Sequence, residues 1–373
     1  MSEVARKVAM ELDGRVNEVQ LGDPDLSSHN YDAVPLSVGN FHTFTLTPSK
    51  SPRRIAFVDG GNRPLLHAPN FSVQFNRLYF NVFQGKNRVN CEGKIPRRVE
   101  FVSVTLAEFQ EDEIYFNTYV HPVAEGYDKY LPRSADLSFS SFDRRIMQGT
   151  SRADIKRVAT IARRFAEWRF AARIVEAELG DGDVLVMDGT LRTAFKNENN
   201  YARDAYTAAK SKGVLYTGLA KTSNLFTTTG LSLLGALRKL AEDNSVEAPW
   251  YYHPVAKSKS PEHEAAIFIV RLRPESQRVF RYEIQSQQSE QFSEQELADI
   301  FGQLCENSCD IGFPGYPYGL IDADANAKVV KSDVDTHRVM LLSELSKNGC
   351  WPRFSRHMES SDAHDELDKL REW

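Results

Sequence analysis

Two stretches far apart in the chain share one pattern: "RRIAFVDGGN" at residues 53–62 and "DVLVMDGTL" at 183–191. In each, a short apolar run, Ile55 to Val58 or Val184 to Met187, ends abruptly in Asp-Gly. Short continuous apolar runs bounded by turn signals read as buried strands. Each strand therefore delivers an aspartate, Asp59 or Asp188, at the same structural point, with glycine just beyond it. Glycine lets the backbone turn and leaves room for a phosphate. Asp-Gly after a strand is also ordinary turn chemistry. The repetition, not either copy, is what points to a shared site.

The order of elements sharpens this. Residues 70–85, 98–109 and 114–120 are rich in Phe, Val and Tyr and read as strands. Then the period changes. Ile155, Val158, Ile161, Phe165, Trp168, Ala172, Val175 and Leu179 recur every three or four residues, one face of a long helix. "GDGD" stops it, and the strand 184–188 follows. A helix over 199–212, a strand over 213–221, a helix in "LSLLGALRKLAED" and a strand pair in "AAIFIVRL" and "VFRYEI" come next. Ser293 with Glu296 three residues on marks a capping box at the start of a further helix. Several strands, a long helix, a strand, a helix and a strand are the order of an α/β, ribonuclease H-like fold: a mixed sheet flanked by helices, here with elaborations, read as one domain. In that architecture the first and fourth strands lie side by side and parallel. Asp59 and Asp188 then face a common cleft that a divalent ion can bridge. Mg²⁺ or Mn²⁺ prefers carboxylate oxygens, and two such ions about 4 Å apart clamp the attacking and leaving oxygens of a phosphodiester.

Composition narrows the class without deciding it. The formal charge of −5 over 373 residues gives no global affinity for nucleic acid, so any such site is a local patch. Arg97–Arg98, Arg144–Arg145, Lys156–Arg157 and Arg163–Arg164 are the basic clusters. No apolar run approaches the roughly 20 residues of a membrane span, and the start has no signal-peptide core; a cytoplasmic protein is expected. Four cysteines without a CxxC pair favour neither a disulfide framework nor zinc. No GxxxxGK[ST] loop occurs, so ATP hydrolysis would fall to a partner. No HExxH occurs, and the histidines assemble no triad.

"IAFVDGGN", "VLVMDGTL", "GLAKTS" and "GYPYGLIDADANAKV" occur in the order of the NurA nucleases, which the chain resembles over roughly residues 50–345. These archaeal and bacterial enzymes work with the hexameric HerA ATPase on DNA ends, and related pairs act against phage. The resemblance implies a NurA-like nuclease domain over 50–345 with a ribonuclease H-like core, dependence on Mn²⁺ or Mg²⁺, DNA as substrate, a homodimer and a HerA-like partner. It leaves residues 1–49 as a lead-in or docking segment and 346–373 as a charged tail. It also implies a glutamate on the long helix. Glu167, in "RRFAEWRFA", is the best match; Glu176 and Glu178 compete but sit in the last turn.

A fourth position follows the "GYPY" tyrosine. Eight residues beyond Tyr316 the family commonly has a histidine; here Asp324 stands there, with Asp322 as the other candidate ligand. An aspartate keeps metal binding and puts proton transfer by this residue in doubt. Tyr316 itself contacts a phosphate or a metal-bound water, or packs against Pro314 and Pro317. Lys221, closing "GVLYTGLAK", reaches the same face of the sheet and stabilises developing negative charge, or is a strand-end lysine in water. Of the basic pairs, Arg163 and Arg164 lie closest to Glu167 and are the ones expected to track a DNA backbone.

The reading is a metal-dependent DNA nuclease working with a HerA-like translocase in DNA end processing or phage defence. A catalytically idle subunit that binds DNA or the ATPase, and a ribonuclease H-like enzyme acting on RNA, are the other readings. Three acids converging on one place favour catalysis. For docking, "VARKVAMELDGRV" has apolar residues at helical spacing, and the charged tail after Arg356 is the other option.

Overall fold

The computed structural model describes residues 1–16, 20–26, 30–46, 52–91 and 93–358. Its principal elements, in chain order, are α1 (Ser2–Val16), β1 (Arg54–Ala68), β2 (Phe71–Gln84), β3 (Arg98–Gln110), β4 (Glu113–Pro122), α2 (Ile161–Glu178), β5 (Val184–Asp188), α3 (Glu198–Lys212), β6 (Leu215–Ala220), α4 (Leu233–Asp243), β7 (Ala265–Arg271), β8 (Phe280–Gln285), α5 (Glu294–Asn307), α6 (Tyr318–Ala327) and α7 (Lys331–Lys347). These residues form two compact units, each built from interleaved stretches. One comprises Arg54–Met187, Thr193–Tyr216 and Gly319–Trp373; the other comprises Met1–Arg53, Asp188–Arg192 and Thr217–Tyr318. Because both units are discontinuous in sequence, no linker marks the division.

In the first unit β1, β2, β3 and β4 form an antiparallel meander. After α2 the chain returns as β5, which lies on the other edge of β1 and runs parallel to it, Val184 opposite Ile55 through Met187 opposite Val58. A meander, a crossover helix and a strand parallel to the first is the ribonuclease H-like order. β2 is buried on both faces from Phe71 to Phe83, which explains its run of aromatic and β-branched residues.

Helices cover both faces. α2 buries Phe165, Trp168, Phe170, Ile174 and Val175; Phe170 meets Phe80 edge-on at 5.7 Å and Trp168 stacks on Tyr216 at 5.9 Å. The chain from α6 into α7 covers the other face. Gly319 lies flat on the Phe57 ring, Asn81 donates to its carbonyl at 2.8 Å, and Leu341, Leu342 and Leu345 of α7 pack on Leu66, Phe71 and Val73.

Two expectations change in detail. The helical stripe from residue 155 is two helices, Ile155–Val158 and α2, because the first turn closes on itself: the Thr160 hydroxyl donates to the Arg157 carbonyl at 2.8 Å. And β1 does not end at Asp59. Its buried stretch ends at Val58, but the strand continues to Ala68, paired with β2 except for a bulge between Pro64 and Leu66. Asp59 therefore marks a change of environment within one strand rather than a strand tip.

In the second unit β6 and β7 each pair antiparallel with β8, and short strands Trp250–Tyr252 and Phe41–Thr43 extend the sheet. α4 packs Leu233 and Leu237 against Trp250, Tyr252, Ile267 and Ile269. α5 opens with the expected capping box, Ser293 and Glu296 each hydrogen-bonded to the other's backbone N–H.

Candidate active site

The strand pair β1–β5 explains where the acids are. Ile55–Val58 and Val184–Met187 are buried apolar residues in parallel register. One residue further along each strand comes an aspartate, Asp59 on β1 and Asp188 on β5. Asp59 accepts the Gly60 N–H at 2.7 Å.

The glycines after Asp59 do not turn the chain. Gly60 and Gly61 are extended, and their role is close approach. Successive residues of a strand point to opposite faces. A Cβ on Gly60 would strike the Glu167 carboxylate of α2 and stand 2.9 Å from Leu78; a Cβ on Gly61 would strike the backbone carbonyl of Ala327 at the end of α6. So Gly60 faces α2 and Gly61 faces α6. Alternation puts Asp59 on the α6 face with Gly61 and Arg63. There Asp324 meets it, each offering a carboxylate oxygen within 4.8 Å of the other. A cleft of about 310 Å³ opens beside them, lined by Gly60, Gly61, Arg63 and Lys328 among others. Only at Asp188 does the glycine turn: Gly189 has φ +120°.

Of the two aspartates on α6, only Asp324 joins Asp59 in this group. Asp322 is engaged by the sheet: Asn81 donates to it at 2.7 Å and Arg88 forms an ion pair with it. The two are two residues apart on a helix and so point in different directions.

The three helix glutamates also separate. Glu176 pairs with Arg173 at 2.6 Å on the surface. Glu178 is buried and accepts the Ile95 N–H at 3.3 Å. Glu167 alone reaches β1, at Gly60, and is outside the Asp59–Asp324 group. Its partner is Arg163, whose guanidinium also donates to the Gly60 carbonyl at 3.0 Å. Behind it Tyr216 is fully buried; burial, with Tyr206 and the Glu167 charge adding to it, pushes its phenol well above the usual range.

Arg164 turns the other way. It pairs with the buried Glu198 at 2.5 Å and lies 5.6 Å over the Phe195 ring. Glu198 also accepts from Trp168 Nε1 at 3.0 Å and from the backbone N–H groups of Ala194 and Phe195. Both arginines of the pair are thus anchored within the fold by carboxylates.

In the second unit Lys221 follows β6 and its ammonium lies 2.7 Å from Asp188 Oδ2. Tyr316 is 1% exposed, stacked on Phe313 at 4.9 Å and against Phe280 at 5.2 Å. Of the two roles open to it, packing is the one seen in this unit, on two phenylalanines rather than on Pro314 and Pro317.

The donor set suits a hard divalent cation. Asp59 and Asp324 offer only carboxylate oxygens, and two oxygens on opposite sides of an octahedral Mg²⁺ stand up to about 4.2 Å apart, within a small side-chain rotation of the spacing here. Nothing soft is offered by this pair.

Residues 53–329 match the NurA domain family. The chain belongs to the NurA family. This is a family of nucleases, and its match spans β1 through α6, so every element carrying a candidate acid lies inside it. No curated protein sequence matches the chain. Solved structures to which this NurA-family chain is similar include Endonuclease V of Ciona intestinalis in complex with a 24mer DNA containing an inosine followed by a ribo-adenosine, at 10% identity over 74% of this chain and 84% of that one, with a TM-score of 0.34. The catalytic domain of human Endonuclease V is similar at 12% identity over 80% and 85%, with a TM-score of 0.29. Argonaute of A. aeolicus is similar at 10% identity over 74% and 28%, with a TM-score of 0.28. The strand order, not these likenesses, establishes the ribonuclease H-like core of this NurA-family chain.

Sequence reading missed several residues near the acids. Arg63 shares the face of Asp59, and Lys328 lies four residues past Asp324; both are exposed. Period-two alternation along β1 would have placed Arg63, had the strand been carried past Gly61. Glu198 carried no local signal at all.

Proposed function

We propose that the chain is a metal-dependent DNA nuclease in which Asp59, Asp188 and Asp324 hold a hard divalent ion, Mn²⁺ or Mg²⁺. The observation that carries this reading is the register of β1 and β5. Val58 and Met187 are parallel neighbours, and the residue after each is an aspartate; within the first unit α6 brings Asp324 to Asp59. Glu167, the helix glutamate that the family resemblance implies, enters the proposal as a further acid of the site; it meets β1 at Gly60, on the face opposite Asp59, and the Glu167→Gln variant tests it. When bound, the ion supplies Lewis-acid polarisation of a phosphodiester and lowers the pKa of water.

The chain's own residues do the rest. Lys221 neutralises Asp188 and places a cation where negative charge develops. Arg163 holds Glu167 against the strand. Arg63 and Lys328 are proposed to contact phosphates flanking the cleft, a sequence-independent role suited to exposed cations.

The family resemblance supports a HerA-like hexameric ATPase as partner, a homodimer, and a role in DNA end processing or phage defence in the cytoplasm. Among the described residues no helix is long and apolar enough to cross a membrane. α1 exposes Val4, Val8, Met10 and Leu12, which supports the N-terminal segment as the docking element. The tail expected to compete with it lies mostly outside the described residues.

The function is tested by incubating purified protein with labelled single- and double-stranded DNA and with RNA, with Mn²⁺ or EDTA, and with or without the ATPase and ATP. Mn²⁺-dependent DNA cleavage is expected. Folded protein that binds DNA without cutting it identifies the idle subunit, and cleavage of RNA alone identifies the other enzyme class.

The helix acid has its own test. Glu167→Gln is expected to lower cleavage by about 10²-fold, on the scale of losing one electrostatic stabiliser. Glu178→Gln keeps an acceptor for the Ile95 N–H and is expected to cost on the order of 1 kcal/mol of stability with little change in rate. Steady-state rates and melting curves of the two variants check this; equal rate loss would show that the helix acid is misplaced.

A further inference from the structure

The turn that follows Asp188 is gripped by a buried polar cluster that the chemistry above does not use. Asp188–Arg192 leaves β5 through Gly189, and two of its backbone donors are used within the second unit. The Gly189 N–H donates to the Leu219 carbonyl at 2.9 Å. The Leu191 N–H donates to Glu283 Oε2 at 2.6 Å. Glu283 is fully buried in β8, directly across from Gly218 of β6. That glycine matters: a Cβ there would stand 2.6 Å from the Gly189 carbonyl oxygen and 3.1 Å from Leu191 Cδ2. Gly218 is the seat of the turn, and Glu283 reaches over it to hold Leu191.

The carboxylate is itself held from three directions. Arg281, two residues away on the same face of β8, places Nη2 at 2.6 Å from Oε1. His263, also fully buried, places Nε2 at 3.0 Å from Oε2. The other nitrogen of that ring, Nδ1, is 2.7 Å from the Tyr31 hydroxyl. With Nε2–H donating to Glu283, Nδ1 accepts from Tyr31, so one tautomer satisfies both bonds. Burial alone would raise the Glu283 pKa; Arg281, His263 and the Leu191 N–H outweigh it and hold the group at about 2. A desolvated carboxylate is expensive, and a merely structural one has no need to end on the turn three residues past a candidate metal ligand.

We infer that Glu283 is a positioning residue: supported by Arg281, His263 and Tyr31, it fixes the Asp188 turn so that the Asp188 carboxylate is presented to a divalent cation. The inference rests on the metal-site reading above. Partners that orient a ligand from behind change metal affinity or activity by about 10–100-fold when removed.

The test is Mn²⁺ titration by calorimetry of the full chain without DNA, beside steady-state cleavage. Glu283→Gln is expected to weaken Mn²⁺ binding by about 10–100-fold and to lower kcat with KM for DNA little changed. Tyr31→Phe removes only the far end of the relay from a half-buried position, and is expected to shift affinity in the same direction by less. Leu237→Ala, in the α4 core of the same unit, is the control for general loosening and is expected to keep wild-type Mn²⁺ affinity while losing melting temperature. Folded Glu283→Gln with wild-type affinity overturns the inference, as does an equal loss in Leu237→Ala. If Glu283→Gln does not fold, Tyr31→Phe decides, and unchanged affinity there overturns it. Asp59→Ala separates the two layers: if wild type binds no Mn²⁺, or Asp59→Ala binds it as wild type does, the metal-site reading falls and this inference with it.

Discussion

Asp59→Ala and Asp188→Ala will each abolish Mn²⁺-dependent cleavage while leaving the protein folded. The loss should exceed the roughly 10²–10³-fold that follows removal of a single electrostatic stabiliser, because a metal ligand contributes both the binding and the placement of the ion. Stability should change little in the absence of metal. Both side chains are half-buried at the end of an apolar stretch, and clustered carboxylates repel one another until a cation neutralises them. Asp188→Ala leaves Lys221 without its carboxylate, but that side chain is 36% exposed and can be hydrated. Rates with Mn²⁺ and melting curves in EDTA check both halves. Full activity in either variant removes the two-strand site.

Asp324→Asn and Asp322→Asn will separate chemistry from architecture on a single helix. Asp324 meets Asp59 on the α6 face. Asp322 receives Asn81 and pairs with Arg88. Asp324→Asn should therefore lower the rate by at least about 10²-fold with an unchanged melting temperature. Asp322→Asn should cost about 1.5–3 kcal/mol, the worth of a hydrogen bond to a charged group, with a rate near wild type when assayed well below its melting point. Paired melting and rate measurements check this, and the reverse pattern would assign the ligand to Asp322.

The β1–β5 pair was legible in the sequence because its signal is local and repeated: four apolar residues and an aspartate, twice. The capping box of α5 was legible for the same reason, as Ser293 and Glu296 are three residues apart. The roles of Gly60 and Gly61 were not. A glycine's local meaning is a turn, whereas here its meaning is set by what approaches from α2 and α6, more than one hundred residues away in the chain for Glu167 and further for Ala327. The same non-locality hid Glu198, which draws Arg164 into the fold, and the Leu191–Glu283–His263–Tyr31 chain, whose members are scattered from residue 31 to 283. Sequence spacing also placed Asp322 and Asp324 together as candidates, and only the helix, by pointing them apart, distinguishes them. The polar stretch from Gly60 to Arg63 concealed the continuation of β1, since backbone pairing with β2 sustains it there rather than apolar alternation.

The most direct test of the metal site is a crystal soaked in Mn²⁺ and measured at the manganese absorption edge. An anomalous peak coordinated by the carboxylates of Asp59, Asp188 and Asp324, and absent from an Asp59→Ala crystal, is expected. Full occupancy of Mn²⁺ elsewhere on the molecule, with no peak at those three acids, would contradict it.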